Sequence, residues 1–338
     1  MTTPLVTIAI PVYKRLQYLA GAVRAVAAQD YPNIELIVSD NGLNDRAVPP
    51  IVDAHYPRPW RFRQNTSIET QVVHWNHILS EASGKYFLLL ADDDEITGNY
   101  VSELTPLLEA NERASVAIAA QEVLTETGAF VRRTRSPIPE RLSGAEFLRA
   151  AFYTMEYGFA GFMTTFMRTA EAQRCGGYPD FFMATHSDDT LLFKLCLDRD
   201  VVLNDRCALL RKIYETSYGL SMSIEQIAQA SVQLLAFLRS DLQLREFARA
   251  HPRTWKEVRG YLVRNKWMNH HHRWRYMYRK RMTRLQWVRA GFTLPFIPGY
   301  YAMVLSTLLE AGSRSARSRA RLAAPGAYRL YRRLRYGR

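Results

Sequence analysis

The stretch Tyr86-Phe87-Leu88-Leu89-Leu90-Ala91-Asp92-Asp93-Asp94 is the most informative pattern in the chain. Its apolar half, preceded by Gly84, is typical of a buried β-strand. The three aspartates, called the acidic run below, repel one another, and removing them from water without a counter-charge costs several kcal/mol. A divalent cation offsets that cost, and carboxylate oxygens suit Mg²⁺ or Mn²⁺. The alternative is a solvated acidic loop or helix start, because Glu95 follows.

Outward from this strand, the first 120 residues alternate between strand and helix patterns. Apolar strands are expected at 5–10 and 34–39, with an amphipathic helix at 15–28 between them. This alternation with short connections predicts an α/β domain with a doubly wound, mostly parallel sheet. Such sheets bind ligands beyond the carboxyl ends of their strands, so Asp40 and the acidic run are expected on one rim.

The second half of the chain changes character near residue 220. Before it, the α/β pattern continues less regularly, with two short strands expected at 201–203 and 207–211. After it, long helical segments rich in Arg, Trp and Tyr take over. We therefore expect an α/β domain over 1–220 and a mainly α-helical region over 221–338.

Charge divides the chain in the same way. The net charge is +13, but residues 251–338 hold 21 Lys and Arg against 2 Asp and Glu. The C-terminal region is thus suited to an anionic surface. The N-terminus has no secretory pattern, and three cysteines without metal-ligand spacing are expected to be reduced thiols in the cytosol.

Five motifs stand at the ends of predicted strands or at turns. Each alone carries little information, and their order and spacing carry more. In chain order they are Ile8-Ala9-Ile10-Pro11-Val12-Tyr13, Ile37-Val38-Ser39-Asp40-Asn41-Gly42, Gly84-Lys85-Tyr86 with the acidic run, Cys175-Gly176-Gly177-Tyr178, and His186-Ser187-Asp188-Asp189.

Together these motifs resemble the family 2 glycosyltransferases over about residues 4–220. The resemblance implies the GT-A fold, with a mixed central sheet, and inverting transfer of a sugar from a nucleotide-diphosphate donor to a glycan or lipid-linked acceptor. Together with the basic C-terminal region, it leads us to expect a role in envelope polysaccharide or glycolipid synthesis. Two alternatives stay open. A nucleotidyltransferase shares the sheet type, although 11–15 lacks the glycine of a triphosphate loop, and a non-catalytic glycan- or lipid-binding protein could keep the fold.

The resemblance assigns the donor side. Pro11, Val12 and Tyr13 would form one wall of the nucleobase pocket, although Tyr13 is equally suited to be a core aromatic residue. Asp40 would accept a hydrogen bond from the base, or it would cap the Asn41-Gly42 turn.

The acidic run matches the family's Asp-X-Asp signature in more than one register. In one, Asp92 and Asp94 form the pair. In the other, Asp92 holds the ribose and Asp93 the metal. All three are therefore candidate ligands of Mn²⁺ or Mg²⁺, which would bridge the diphosphate and neutralise the charge of the departing nucleotide.

The resemblance makes Asp189 the catalytic base and Asp188 a residue that orients the acceptor. An inverting transfer needs a base within hydrogen-bond reach of the acceptor hydroxyl. The alternative is that both acids cap the helix they begin. His186 is placed to face the acceptor or to lie exposed at the helix entry.

One departure from the family concerns the segment 212–218. Relatives often carry a histidine there that joins the metal or diphosphate site, and this chain has none. Glu215 is the candidate substitute.

The segment 290–309 has twenty residues without charge, enough to span a bilayer. Pro295, Pro298 and Gly299 interrupt it, so an element dipping into one leaflet or lying at the interface fits better. With the surrounding Arg, Trp and Tyr, this predicts peripheral or monotopic attachment at the cytoplasmic face of a membrane. The alternatives are nucleic-acid binding, which we do not expect, and an oligomer interface. The triplet 270–272 is expected on an interfacial surface.

Overall fold

The computed structural model describes residues 3–44, 46–159, 162–214, 222–278 and 283–309. Glu215 and the arginine-rich tail lie outside these residues. The chain divides into two compact units, residues 1–266 and 267–338. Within the described part, the last strand ends at Ile213 and only helices follow. The predicted domain boundary near residue 220 stays a prediction.

Strands of the first unit form one mixed sheet in the order β3-β2-β1-β4-β9-β6-β10-β5, with β7 beside β6 and β8 beside β10. The pairs β1–β2, β1–β4, β2–β3 and β6–β10 are parallel, and the others are antiparallel. This confirms the predicted mixed sheet with flanking helices. The strands are β1 Val6–Val12, β2 Ile34–Asp40, β3 Arg61–Gln64, β4 Tyr86–Leu89, β5 Glu95–Ile96, β6 Ala114–Thr125, β7 Phe130–Arg133, β8 Arg141–Ser143, β9 Phe166–Arg168 and β10 Asp200–Ile213.

Helices flank the sheet in the first unit and continue into the second unit. A π-helical turn covers Ala150–Thr154 and a 3₁₀ turn covers Phe182–Ala184. The α-helices are α1 Leu16–Ala27, α2 Val48–Asp53, α3 Gln71–Glu81, α4 Tyr100–Ala110, α5 Gly144–Arg149, α6 Thr169–Arg174, α7 Ser187–Cys196, α8 Ile224–Ser240, α9 Leu242–Ala250, α10 Pro252–Tyr278, α11 Arg284–Ala290 and α12, residues 298–309.

The register of the central strands brings their carboxyl ends to one edge. Val12 at the end of β1 lies opposite Asp40 at the end of β2. On the other side of β1, the N–H of Leu90 donates to the carbonyl of Ala9 at 2.9 Å, two residues before the acidic run. Asp40 and the acidic run therefore follow parallel strands on either side of β1, as predicted.

The core explains why β4 is so apolar. Every residue from Tyr86 to Leu90 is fully buried, because helices cover both faces of the sheet at this point. Leu19, Val23 and Val26, at helical spacing in α1, are also fully buried and belong to the same hydrophobic core as the side chains of β4. Each such side chain contributes about 1.5–3 kcal/mol of hydrophobic stabilisation.

Strand β10 corrects one prediction. The strands expected at 201–203 and 207–211 are one continuous strand paired with β6, with a register shift between Asn204 and Ala208. The side chain of Asn204 accepts a hydrogen bond from the N–H of Arg206 at 2.8 Å, which closes the irregularity. In the sequence, the polar residues of this bulge interrupt the apolar strand pattern, and this is why two strands were predicted.

The second unit packs around Trp274, which is fully buried. Its ring stacks on Trp287 at 4.6 Å, and its indole N–H donates to the carbonyl of Trp287 at 2.7 Å. His270 and His271 are buried beside it, so the expected interfacial surface is wrong for these two residues. The helices α11 and α12 are separated by the non-helical residues 291–297, and no helix in the described ranges is long and apolar enough to cross a membrane.

Candidate active site

The acidic run lies largely buried at the sheet edge, with Arg15 beside it. One guanidinium nitrogen of Arg15 is 3.0 Å from a carboxylate oxygen of Asp92, and the other is 2.7 Å from Asp93. Asp92 and Asp94 are only 6% and 9% exposed. The alternative of a solvated acidic loop is therefore wrong.

Burial raises the pKa of both Asp92 and Asp94 to about 7. For Asp92, Arg15 opposes this effect and Asp93 adds to it; for Asp94, the neighbouring Asp93 adds to it and Arg211 opposes it. The carboxylates are thus short of positive charge at this edge. A divalent cation is the kind of group that would supply it.

The carboxylates of the acidic run could bind a cation that takes its remaining ligands from outside the protein. Within the described ranges, no cluster of three or more His, Cys, Asp or Glu side chains is arranged to hold a metal. The acidic run can offer hard carboxylate oxygens, and Mg²⁺ commonly binds through one or two carboxylates together with substrate phosphates and water. Such a cation would fit this edge with further ligands from a phosphate group or from water, rather than as an ion held by protein alone.

The end of β10 returns to the acidic run. The N–H of Lys212 donates to Asp94 at 3.2 Å, and the hydroxyl of Tyr214 donates to the backbone carbonyl of Asp93 at 3.5 Å. Tyr18 packs against Tyr214 with ring centroids 4.5 Å apart. The first part of the segment 212–218, which lacks the family's histidine, therefore contacts the acidic run through Lys212 and Tyr214. Glu215 follows outside the described residues, so its role stays a prediction.

Asp40 organises the loop after β2. It is fully buried, and its carboxylate accepts from the N–H of Gly42 and of Asn44 at 2.8 Å each, and from the Asn44 side-chain amide at 2.8 Å. The turn-capping role is thus present in the structure. Gly42 is needed because a Cβ there would overlap the carbonyl oxygen of Tyr13.

The motif after β1 presents one aromatic ring to solvent. Tyr13 is 47% exposed, so the alternative of a core aromatic residue is wrong. Val12 is buried opposite Asp40, and Pro11 is half-buried opposite Ser39. The structure therefore brings Pro11, Val12, Tyr13 and Asp40 together at one end of two adjacent strands, where only Tyr13 is freely accessible among the four.

Helix α7 begins with the acidic residues Asp188 and Asp189. A carboxylate oxygen of Asp189, Oδ2, forms an ion pair with Nζ of Lys266 from α10, whose side chain is only 4% exposed. Asp188 accepts a hydrogen bond from the N–H of Phe162 at 3.4 Å. Burial raises the pKa of Asp188, and the neighbouring charge of Asp189 raises it further.

The Gly-Gly turn is held close to these acids by α3. Asn76 donates from its side-chain amide to the carbonyl of Tyr178 and accepts from the N–H of Tyr178, both at 2.8 Å. Gly177 has φ +69, in the region that favours glycine, and a Cβ there would collide with Asn76. Burial raises the pKa of the Tyr178 hydroxyl, and the charge of Asp188 on α7 raises it further.

His186 precedes α7 in a left-handed conformation and is 9% exposed, so it is not the exposed helix-entry residue of the alternative interpretation. Its Nε2 lies 3.2 Å from the hydroxyl of Ser231 in α8. A role toward the acceptor stays a prediction.

Four side chains at the site were not identified from the sequence: Arg15, His74, Asn76 and Lys266. Arg15 had a local signal, because a cation directly after the first strand motif can face a neighbouring strand end. His74, 2% exposed, bonds the hydroxyl of Ser39 at 2.7 Å beside Asp40. Lys266 is 77 positions from Asp189, and no local pattern connects the two.

Comparison with known proteins identifies the family. Residues 7–172 match the model of Glycosyl transferase family 2, so this part of the chain is a domain of that family. An uncharacterized glycosyltransferase of Rickettsia bellii is 29% identical over 135 residues, which are 39% of this chain and 19% of the relative. A GalNAc(5)-diNAcBac-PP-undecaprenol beta-1,3-glucosyltransferase of Campylobacter jejuni is 28% identical over 111 residues, 32% of this chain and 35% of that protein. The chain thus matches only about a fifth to a third of these relatives' lengths.

Solved structures agree on the fold. Staphylococcus aureus TarS 1-349 in complex with UDP-GlcNAc has a TM-score of 0.58 at 15% identity, covering 86% of this chain and 82% of TarS. The mannosyltransferase PcManGT of Pyrobaculum calidifontis, in complex with GDP-Man and Mn2+, has a TM-score of 0.53 at 14% identity, covering 98% and 84%. These similarities confirm the GT-A fold.

Burial makes His74 a source of pH-dependent stability. It lowers the pKa of His74 to about 4, helped by the charges of Arg63 and His77. In the unfolded chain His74 is protonated as pH falls below about 6.5, whereas in the folded chain it stays neutral down to about pH 4. The free energy of unfolding therefore decreases as pH falls through this window. We expect His74 to account for about 2 kcal/mol of the loss in unfolding free energy between pH 7 and pH 5.

Urea denaturation at the two pH values measures this contribution. His74→Gln should flatten the pH dependence by about that amount, whereas the control His55→Gln, at a half-buried histidine whose charge does not contribute to the lowered pKa of His74, should keep it. An unchanged slope in His74→Gln would show that His74 titrates normally in the folded protein.

Proposed function

We propose that this chain is an inverting, metal-dependent glycosyltransferase that moves a sugar from a nucleotide-diphosphate donor to a hydroxyl of a glycan or lipid-linked acceptor. The observation that carries the proposal is the buried acidic run at the carboxyl edge of a GT-A sheet, where Arg15 compensates only part of the negative charge. Family membership supports glycosyl transfer over nucleotidyl transfer, the main alternative. A non-catalytic binding protein is the outcome if no donor is turned over.

The donor nucleotide would lie across the ends of β1, β2 and β4. Tyr13 is exposed and available to a base or ribose, with Pro11 and Val12 behind it. The Asp40 carboxylate accepts three hydrogen bonds from its own loop, and a carboxylate can accept about four. Its main contribution would then be a rigid loop that holds the base. Because Asp40 is fully buried, the base would reach the remaining lone pair only if this loop moved.

The diphosphate would meet both Arg15 and the acidic run. Asp92, Asp93 and Asp94 are the residues that would hold Mn²⁺ or Mg²⁺, which supplies charge neutralisation for the departing nucleotide. Arg15 is 38% exposed and pairs with Asp92 and Asp93, so it compensates part of their charge before a donor arrives. A guanidinium in this position is also suited to bind a phosphate oxygen in bidentate fashion.

Asp189 would act as the base. As the acceptor oxygen bonds to the anomeric carbon, its proton passes to Asp189, and the bond from that carbon to the nucleotide diphosphate breaks on the opposite face. The Lys266 ion pair engages Oδ2, so Oδ1 is the oxygen suited to take the proton. Lys266 would be a positioning residue that fixes the carboxylate. Asp188, tied to the backbone at Phe162, would orient the acceptor.

The acceptor side connects to a membrane in this proposal. The name of the Campylobacter jejuni relative includes PP-undecaprenol, which supports a lipid-linked diphosphate acceptor here. The strong positive charge after residue 251 supports peripheral or monotopic attachment at the cytoplasmic face, with envelope polysaccharide or glycolipid as the product.

The catalytic base is tested by Asp189→Asn. This change should abolish transfer to acceptor while nucleotide binding stays within about twofold, because the amide keeps the shape and loses the proton acceptor. Lys266→Met should lower kcat and leave donor KM unchanged. Loss of nucleotide binding in Asp189→Asn, measured by calorimetry, would remove Asp189 from the catalytic role.

The cation is tested by thermal shift with nucleoside diphosphates in the presence and absence of Mn²⁺. Ligand at about 100 times its Kd should stabilise the protein by about 2.7 kcal/mol, and Mn²⁺ should increase the shift. Asp93→Asn should lose the Mn²⁺-dependent increment. The control Asp53→Asn, whose oxygen accepts from Trp60 and can still do so as an amide, should retain it. An Mn²⁺-independent shift in the unaltered protein would overturn metal dependence.

Membrane attachment is tested by ending the chain after Leu309, which removes nine arginines and one glutamate. Binding to vesicles that contain phosphatidylglycerol should fall by at least about tenfold, because each basic residue near an anionic surface contributes about 1 kcal/mol. Donor-dependent thermal shift serves as the control for folding. Unchanged vesicle binding would contradict a tail-driven attachment.

A further inference from the structure

An open cavity lies among the helices that follow the sheet in the first unit, on α8, α9 and α10. Its volume is about 350 Å³, within the size range of small-ligand sites. Four of its lining residues are arginines and four are apolar. The arginines are Arg239, Arg245, Arg249 and Arg259, and the apolar residues are Leu238, Leu244, Ala248 and Trp255.

The four guanidinium groups share one cavity without a compensating carboxylate. Over residues 222–266, all of which the structure describes, none of them forms an ion pair, and Arg239, Arg245 and Arg249 are exposed. Elsewhere in this unit arginines are commonly paired, as in Arg63 with Glu81 and Arg174 with Glu171. Clustered like charges repel, so this cavity is suited to an anion.

Contacts beneath the cavity hold it in shape. Asp241 caps α9 by accepting from the N–H of Leu244 at 3.0 Å, and its other oxygen accepts from Lys194 of α7 at 2.8 Å. That lysine is 5% exposed. The ring of Trp255 lies 6.1 Å from that of Phe193, also on α7. The cavity is therefore built on the buried end of the helix that carries Asp189.

We propose that this cavity binds the phosphate headgroup of an anionic membrane phospholipid. Arginine presents a planar fork that matches phosphate oxygens, and the floor of Leu238, Leu244 and Trp255 matches the apolar part of the same molecule. Leu242, 64% exposed at the start of α9, would lie at the hydrocarbon boundary. A free phosphate would use the arginines and leave the apolar floor without a partner.

This site is separate from the reaction centre. Lys194, which anchors the cavity, is five residues beyond Asp189 on α7, about 7.5 Å along the helix axis. A lipid bound here would hold the enzyme on the bilayer without entering the transfer step. The inference extends the membrane attachment proposed above from a diffuse attraction to a defined site, and it does not depend on the donor chemistry.

The test compares two pairs of substitutions in the full chain. Arg245→Ala with Arg249→Ala removes two cations from the cavity, and Arg253→Ala with Lys256→Ala removes two exposed cations from α10 that do not line it. Flotation with phosphatidylcholine vesicles, with and without phosphatidylglycerol, measures binding. We expect about a tenfold or greater loss for the cavity pair and less than about twofold for the control pair.

A charge-preserving pair, Arg245→Lys with Arg249→Lys, distinguishes recognition from attraction. It should also weaken binding, because lysine keeps the charge and loses the bidentate fork. Equal losses in the cavity and control pairs, or no loss in the cavity pair, would overturn the proposal. So would full displacement of the vesicles by millimolar inorganic phosphate at constant ionic strength, which would identify free phosphate as the ligand.

The outcome can be separated from that of the transferase proposal. The donor-dependent thermal shift should be unchanged in the cavity pair, which also confirms that this variant folds. If ending the chain after Leu309 abolishes vesicle binding while the cavity pair has no effect, diffuse attachment stands and the cavity proposal falls. Loss of transfer in Asp189→Asn has no bearing on either result.

Discussion

The compensation of buried negative charge at the end of β4 is the constraint on which the site depends. An apolar central strand places the acidic run where water is largely excluded, and burial raises the pKa of Asp92 and Asp94. Arg15 from the start of α1 supplies part of the missing positive charge. In the proposed function, a cation and a diphosphate would make up the remaining deficit together, because each neutralises the other. The β10 end closes over the same edge through Lys212 and Tyr214.

A second charge pair links the helices after the sheet to Asp189, the proposed catalytic base. Lys266 of α10 reaches Asp189 at the start of α7, and Lys194 at the other end of α7 is paired with Asp241. Helix α7 is therefore held at both ends by ion pairs with helices that follow the sheet. Breaking a buried pair by removing one partner is costly, since it leaves an uncompensated charge. The helices up to residue 266 are in this sense part of the catalytic domain's structure, and their contacts extend it beyond the last strand.

The basic and aromatic residues after the sheet have different roles in the two units. In the first unit, arginines gather around an apolar cavity on α8, α9 and α10. In the second unit, Trp274, Trp287 and His270 are used for packing instead, so aromatic richness alone does not mark a surface. A chain that works on a lipid-linked acceptor would benefit from both a defined lipid contact and a diffuse positive charge, because the first orients the enzyme and the second speeds its arrival.

The sequence by itself determined the mixed sheet with flanking helices, the family, and the meeting of Asp40 with the acidic run at one edge. Those features follow from strand periodicity and from the rule that parallel strands align their carboxyl ends. Only the tertiary structure decided the charge partners. Arg15 and Lys266 are 77 positions from Asp92 and Asp189, respectively, and pairing over such distances leaves no periodic trace. It also decided that Tyr13 is exposed, that His74 and His270 are buried, and that β10 is continuous, since each depends on which neighbours cover a residue after folding.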